Sequence, residues 1–289
     1  MIVRGADRVL VQGITGRQGT YWAERMQAYG TGIVAGLNPK KAGTEHCGVP
    51  VFATARDAMR EVGFDISVFF IPPLSVRAAA QDAIEAGCRR LVILTEHVPV
   101  QDVMELLAMA RANGAAVVGP NTAGLVTPSE CFVGFMPAFE RDIFRPGGVG
   151  VISRSGSLGT LFCLNLVQAG FGQSAFIGIG GDPIVGTTTL DALQLLDADD
   201  RTDAIMMIGE IGGTMEEDAA EYARAMSKPV VAYIAGRASP PGKKMGHAGA
   251  IVMGDKGTYA SKRKALEAAG VEVLDTPSEV GRALQATLG

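Results

Sequence analysis

The stretch RVLVQGITGRQGT, residues 8–20, decides the fold. A β-forming run ends in glycines at 13, 16 and 19, and beyond Gly19 the apolar spacing becomes helical. Such a junction puts glycine where a backbone must turn tightly and come close to an anion at the N-terminus of a helix. Working outward, short β-branched runs bounded by glycine keep alternating with longer amphipathic stretches, the pattern that builds parallel sheets through right-handed crossovers. The spacing predicts strands at 8–12, 33–37, 66–71, 91–95 and 116–119, with helices near 19–28, 54–62, 76–86 and 101–112. An irregular segment rich in proline and glycine follows, roughly 121–146. A second series opens with strand 149–153 and helix 156–169 and runs through strands 174–179, 204–208, 230–234 and 272–274. Its other helices fall at 188–197, at 216–226 and from 259, and Thr276, Pro277 and Glu279 start a last one with a capping box. The expectation is an α/β chain of two tandem doubly wound domains, residues 1–122 and 147–289, with 123–146 as connector.

At 289 residues the chain is long for one domain and comfortable for two. With 47% hydrophobic and 19% charged residues it is globular in composition rather than disordered. A net charge of -4 offers no basic surface to a nucleic-acid backbone. The four cysteines, Cys47, Cys88, Cys131 and Cys163, form no C-x-x-C pair, so neither a metal site nor a disulfide framework is expected. No stretch approaches the roughly eighteen uncharged apolar residues of a membrane span, and the first residues run into a strand without a charged leader. The compartment expected is the cytoplasm.

What the first glycine loop holds is narrowed by the end of the second strand, Leu37-Asn38-Pro39-Lys40-Lys41. A nicotinamide dinucleotide wants an acid there to accept from its ribose hydroxyls. Two lysines instead favour a nucleotide with an extra ribose phosphate, either the 2′-phosphate of NADP or the 3′-phosphate of coenzyme A. The loop alone does not separate them.

In the second half the histidines are informative, because only His46, His97 and His247 exist. His247 sits in Gly246-His247-Ala248-Gly249-Ala250, where small neighbours leave an imidazole uncovered. Ser155-Gly156-Ser157 opens a helix directly after a strand and aims backbone N–H groups and the positive end of the helix dipole at an anion, a phosphate cradle. Glu210, in Gly209-Glu210-Ile211-Gly212-Gly213, leaves another strand at the same sheet edge. A carboxylate there can hold one imidazole nitrogen and leave the other as nucleophile. Two look-alikes fail. GRASPPGKK, 236–244, has one residue too many between its glycines for a P-loop and no Ser or Thr after its first lysine. SRSGSLG, 153–159, approximates a nucleophile elbow around Ser157 but has Ser155 where the first glycine belongs.

With these residues laid out, the chain resembles the alpha subunit of succinyl-CoA synthetase and its malate-CoA ligase relatives over nearly its whole length. GITGRQG (13–19), SRSGSL (153–158), GIGGDPIVG (178–186), GEIGG (209–213) and KKMGHAGA (243–250) occur in the family's order. The resemblance implies an N-terminal Rossmann-like domain that binds coenzyme A and a C-terminal flavodoxin-like domain that carries a phosphohistidine. It implies that Thr15, Gly16, Arg17, Gln18 and Gly19 hold the pyrophosphate region of coenzyme A and Lys41 its phosphorylated ribose, while Phe70, Ile71, Pro72, Thr95 and Glu96 line the rest. It makes His247 the phosphohistidine, with Glu210 orienting it and Ser155, Gly156 and Ser157 stabilising the phosphate, and it puts Asn121, Gly124 and Thr160 near the acid. It further implies a beta subunit with an ATP-grasp domain that binds ATP or GTP with magnesium, in a hetero-dimer or hetero-tetramer.

Departures from the family pattern bear on the acid. Thr160-Leu161 stand where succinate enzymes carry Tyr-Glu, His97 where glycine is usual, Thr122-Ala123 for Cys-Pro, and Ala138-Phe139-Glu140 for Gly-His-Ile. Malate or another substituted dicarboxylate therefore stays open beside succinate. Two readings of other classes also stand. An NADP-linked oxidoreductase would use the first domain and leave the His247 loop idle, and a non-catalytic CoA-binding regulator is motivated by the altered Thr160 region.

Overall fold

The computed structural model describes residues 1–239, 246–252 and 256–288. The chain divides into two compact units, Val3–Met136 with Met1 and Ile184–Gly186, and Pro137–Pro183 with Ile2 and Thr187–Gly289.

In the first unit, strands β1 (Arg8–Gln12), β2 (Gly32–Leu37), β3 (Glu45–His46), β4 (Val49–Phe52), β5 (Ile66–Phe69), β6 (Arg90–Ile93) and β7 (Ala116–Val118) lie in the order β3-β4-β2-β1-β5-β6-β7. Neighbours run parallel except β3, which pairs antiparallel with β4. Helices α1 (Arg17–Tyr29), α2 (Ala55–Glu61), α3 (Val76–Glu85) and α4 (Val100–Ala112) alternate with the strands. Each residue of β5 is buried, as in a strand covered on both faces. Phe69, Leu91 and Ile93 share one core with Ala80 and Ile84 of α3 and Leu106 of α4. The chain starts at the middle of the sheet, with β2 to one side of β1 and β5 to the other. Ligands of open α/β sheets gather beyond the strand ends where the order reverses in this way.

Two features differ from the sequence reading. The edge strand β3 and its neighbour β4 span only two and four residues, with Gly48 between them and Pro50 inside β4, too short for a period-two pattern to register. The segment expected to be irregular holds an antiparallel hairpin, β8 (Gly124–Thr127) with β9 (Cys131–Gly134). Its glycines mark close approach rather than a connector. Gly124 and Gly134 face each other across the ladder with φ of 107° and 144°, and a Cβ on either would strike the opposite backbone.

In the second unit, β10 (Pro146–Ser153), β11 (Gln173–Gly178), β12 (Ala204–Glu210), β13 (Val230–Ala235) and β14 (Glu272–Leu274) run parallel in the order β14-β13-β12-β10-β11. Helices α5 (Gly156–Gln168), α6 (Thr189–Asp197), α7 (Met215–Ala223), α8 (Tyr259–Ala268) and α9 (Val280–Leu288) complete it. β12 is buried at all seven positions, so Glu210, its last residue, reaches the sheet edge at the end of an apolar run. The capping box at Thr276 is present, with the Thr276 N–H donating to Glu279 Oε2 at 3.2 Å. Among the described residues no helix is long and apolar enough to cross a membrane.

Candidate functional site

In the first unit β1 delivers the chain to the glycine loop, and α1 begins with Gly16 as its N-cap. Gly16 has no side chain with which to cap the helix, and the first turn carries no acid. The opening N–H groups therefore face outward beside the positive end of the helix dipole, a setting for phosphate. Gly19 is buried, and a Cβ there would meet the Gly13 carbonyl, so the helix seats directly on the loop. Asn38 occupies the place of the dinucleotide-binding acid. It donates from Nδ2 to the Thr15 hydroxyl at 2.5 Å and accepts at Oδ1 from the Lys40 N–H at 3.0 Å. The turn Pro39–Lys41 that it caps leaves both lysines exposed.

A cavity of about 650 Å³ opens here, lined by Thr15, Gly16, Asn38, Lys41 and the strand-end residues Phe70, Ile71 and Pro72. A second, of about 630 Å³, shares those three strand-end residues and adds Gln18, Trp22, Thr95 and Glu96. Arg17, exposed, and Gly19, buried, line neither. The donor set fits a phosphorylated nucleotide with a long arm. The helix end and Lys41 suit phosphates, no acid replaces Asn38, and the one carboxylate among the described residues lining the first cavity, Asp82, is engaged by the Ala55 N–H at 2.6 Å.

In the second unit His247 meets Glu210, with Nδ1 2.8 Å from Oε2. A carboxylate only accepts, so Nδ1 carries the proton and Nε2 of the neutral ring keeps its lone pair. That hydrogen bond raises the histidine pKa above its ordinary value against the opposing effect of burial, with the Glu210 charge also raising it, Arg154 lowering it and Asp182 raising it. The ring packs against Gly181, where an added Cβ would lie 2.8 Å from Cδ2. The loop is pinned there by the Gly249 N–H donating to the Gly181 carbonyl at 3.0 Å. Residues 240–245 and 253–255, which include the lysines of the His247 motif and most of the P-loop-like stretch, lie outside the described residues.

Behind Glu210 stands a set of charges that sequence reasoning missed. Glu210 Oε1 lies 3.2 Å from Arg154 Nη2, Arg154 Nη1 lies 3.6 Å from Glu216 Oε1, Glu216 pairs with Lys262, and Lys262 lies 3.2 Å from Glu217. The side chains of Glu216 and Lys262 are 0% exposed and that of Arg154 2%. One signal was available. Lys262 falls four residues before buried Leu266 on the core-facing stripe of α8, where a lysine is out of place unless paired.

Ser155 is the N-cap of α5. Its hydroxyl accepts from the Leu158 N–H at 3.4 Å and meets the Ser157 hydroxyl at 3.3 Å. The N–H groups of Gly156 and Ser157, in the first turn, have no helical carbonyl behind them. Ser157 bonds to Ser155 and His247 to Glu210, which is not the serine–histidine pairing of a hydrolase. Of the residues expected near an acid, Asn121 belongs to the first unit, where its N–H donates to the Thr95 carbonyl at 3.0 Å, and Gly124 sits in the hairpin. Thr160 belongs to the second unit and donates from its hydroxyl to the Gly156 carbonyl at 2.9 Å. Among the described residues no cluster of His, Cys, Asp and Glu could hold a metal ion.

The CoA binding domain model matches residues 5–97, and the CoA-ligase model residues 152–272. The alpha 2 subunit of the ADP-forming succinate–CoA ligase of Archaeoglobus fulgidus is 48% identical over 280 residues, 97% of this chain and 96% of its own length. The chain belongs to this alpha-subunit family. It is accordingly a subunit of an acid-thiol ligase, coenzyme A is a substrate, and a beta subunit is its partner. The family also reaches other acids by similarity. The ADP-forming sulfoacetate-CoA ligase subunit SauD of Bilophila wadsworthia is 41% identical over 98% of this chain and 97% of its own length. A solved ATP citrate lyase from Methanothrix soehngenii, in complex with citrate and coenzyme A, matches with a TM-score of 0.87 and 25% identity over 98% of this chain. This chain spans 49% of that one. Membership in the alpha-subunit family favours the ligase over the nicotinamide and regulator readings.

Proposed function

We propose that His247 carries a phosphoryl group from a nucleoside triphosphate to a dicarboxylate, and that the acyl phosphate so made is captured by coenzyme A. The observation that carries this reading is the 2.8 Å bond between His247 Nδ1 and Glu210, which fixes the tautomer and leaves Nε2 as the nucleophile. Nε2 attacks the γ-phosphorus and the nucleoside diphosphate leaves. A substrate carboxylate oxygen then takes the phosphoryl group and frees the imidazole. Finally the CoA thiolate adds to the acyl carbon and inorganic phosphate departs. Each step trades one activated bond for another, so the chain's task is to position groups and neutralise charge. Gly156 and Ser157 at the start of α5 offer N–H groups to the transferred phosphate. The loop from Thr15 to Gly19 and the N-terminus of α1 hold the pyrophosphate of coenzyme A, and Lys41 its ribose phosphate. Phe70, Ile71, Pro72, Thr95 and Glu96 line the path of its thiol arm.

The triphosphate, ATP or GTP with magnesium, belongs to an ATP-grasp domain of the beta subunit in a hetero-dimer or hetero-tetramer, and the enzyme works in the cytoplasm. Succinate is the first candidate acid. Malate is the second, because Thr160-Leu161 offer a hydroxyl and an apolar side chain where succinate enzymes carry Tyr-Glu, and Asn121 and Gly124 join Thr160 as the residues to vary. Incubating the two-subunit enzyme with γ-labelled ATP should give an acid-labile, base-stable phosphoprotein that is lost in His247→Asn. No label on the wild type with its partner present would overturn the reading, and a carboxylate screen reading CoA thioester then names the acid.

A further inference from the structure

The row of buried charges behind His247 is longer than a phosphohistidine and its carboxylate require. Three carboxylates, Glu210, Glu216 and Glu217, alternate with two cations, Arg154 and Lys262, so the row is one negative charge in excess with a neutral imidazole and balanced with a protonated one. An isolated buried charge is costly, and each member here is tolerated because its neighbours are opposite in sign. Arg154 is the member that faces both ways. Its Nη2 lies by Glu210, its Nη1 donates to the Gly212 carbonyl at 3.1 Å and lies by Glu216, and its backbone N–H donates to the Ile208 carbonyl on β12 at 3.1 Å. It also abuts the histidine loop, since a Cβ on Gly249 would lie 2.7 Å from Nη2. A pair that only stapled α7 to α8 would need Glu216 and Lys262, but not an arginine shared with Glu210.

We propose that Arg154 is a positioning residue of the histidine centre, holding the Glu210 carboxylate in line with Nδ1 and, backed by the buried Glu216–Lys262 pair, supplying the positive charge that offsets proton binding by the imidazole. Its consequence for catalysis rests on the phosphoryl-carrier reading, but its geometry does not. Among the described residues, the charged groups facing the ring are Glu210, Arg154 and Asp182. Removing the arginine takes away the positive charge that opposes Glu210 and Asp182 at the ring, so the last proton of the His247–Glu210 pair is held more tightly, wherever on the pair it resides. Removing the Glu210 charge has the opposite sign.

The test is a nuclear magnetic resonance titration of the full chain with nitrogen-labelled histidine, the His247 signals being assigned by their loss in His247→Asn. In Arg154→Gln the His247 midpoint should move to higher pH by about one unit, a tenfold change in proton affinity, and in Glu210→Gln it should move to lower pH. An Arg154→Gln protein with native amide dispersion and an unmoved or lowered midpoint overturns the proposal. Should that variant not fold, Arg154→Lys decides, because it keeps the charge and loses the fork. Its midpoint should stay close to wild type while the low-field Nδ1 proton signal weakens, and an unchanged signal overturns the proposal. The titration needs neither nucleotide nor partner, so a wild-type enzyme that fails to take label would sink the carrier reading without touching this result.

Discussion

In the proposed mechanism nucleophilic attack needs the neutral ring of His247, whereas Glu210 favours the protonated one. The folded pKa lies above the ordinary 6.5, so the rate of phosphorylation should climb with pH and reach its midpoint above that value. The sign for stability is the reverse. A raised histidine pKa contributes stability that is complete below pH 6.5 and fades as pH rises through the folded value, so unfolding of the unphosphorylated chain should grow easier across that window. In Glu210→Gln the rate midpoint should fall and the maximal rate drop by about 10²-fold, read from labelling at a series of pH values. Gly181→Ala tests position without touching charge. The new methyl group would occupy the space of the imidazole, and a displacement of the order of 1 Å costs about 10²-fold in rate. Labelling should fall by that factor while coenzyme A affinity, set in the other unit, stays constant.

Long elements were legible in the residues, and paired charges were not. β12 and α5 announced themselves because an apolar run ended by glycine, or a serine followed by a helical stripe, is written locally. The pair β3–β4 and the hairpin β8–β9 join neighbouring segments of two to four residues, too short to write a period-two pattern, and a glycine kept for close approach looks the same in sequence as a glycine in a connector. His247 and Glu210 could be picked out because each sits among glycines, Glu210 at the end of β12 and His247 in the long loop after β13. Arg154 could not, because its burial between two carboxylates follows from the packing of β10, β12 and α7. Lys262→Met keeps an apolar stem of similar length but leaves buried Glu216 without its direct partner and with only Arg154, at 3.6 Å and shared with Glu210, and should lower the stability of the second unit by about 3–5 kcal/mol in urea unfolding. A change below about 1 kcal/mol would mean that water or another group satisfies Glu216.

Each unit has its own set of parallel strands and its own switch of strand order, so the effect of a ligand is to be sought first in the unit that binds it. Coenzyme A at one hundred times its dissociation constant should stabilise the unit it binds by about 2.7 kcal/mol. In hydrogen exchange that gain should appear in β1, α1 and β5, which frame the two cavities, and not in β10 to β12. NADP at the same concentration should produce no such protection, since the two adjoining cavities of about 650 and 630 Å³ suit a nucleotide with a long flexible arm rather than one with a second nucleoside. Lys41 separates the parts of the ligand. An exposed ammonium beside the first cavity has a phosphate to meet only if the ribose bears one, so Lys41→Ala should weaken coenzyme A by roughly tenfold, about 1.4 kcal/mol, and leave dephospho-coenzyme A unaffected. Equal weakening of both ligands in calorimetric titration would move the role of Lys41 from the ribose phosphate to the pyrophosphate, and the ribose end would then have to be sought on the far side of Asn38.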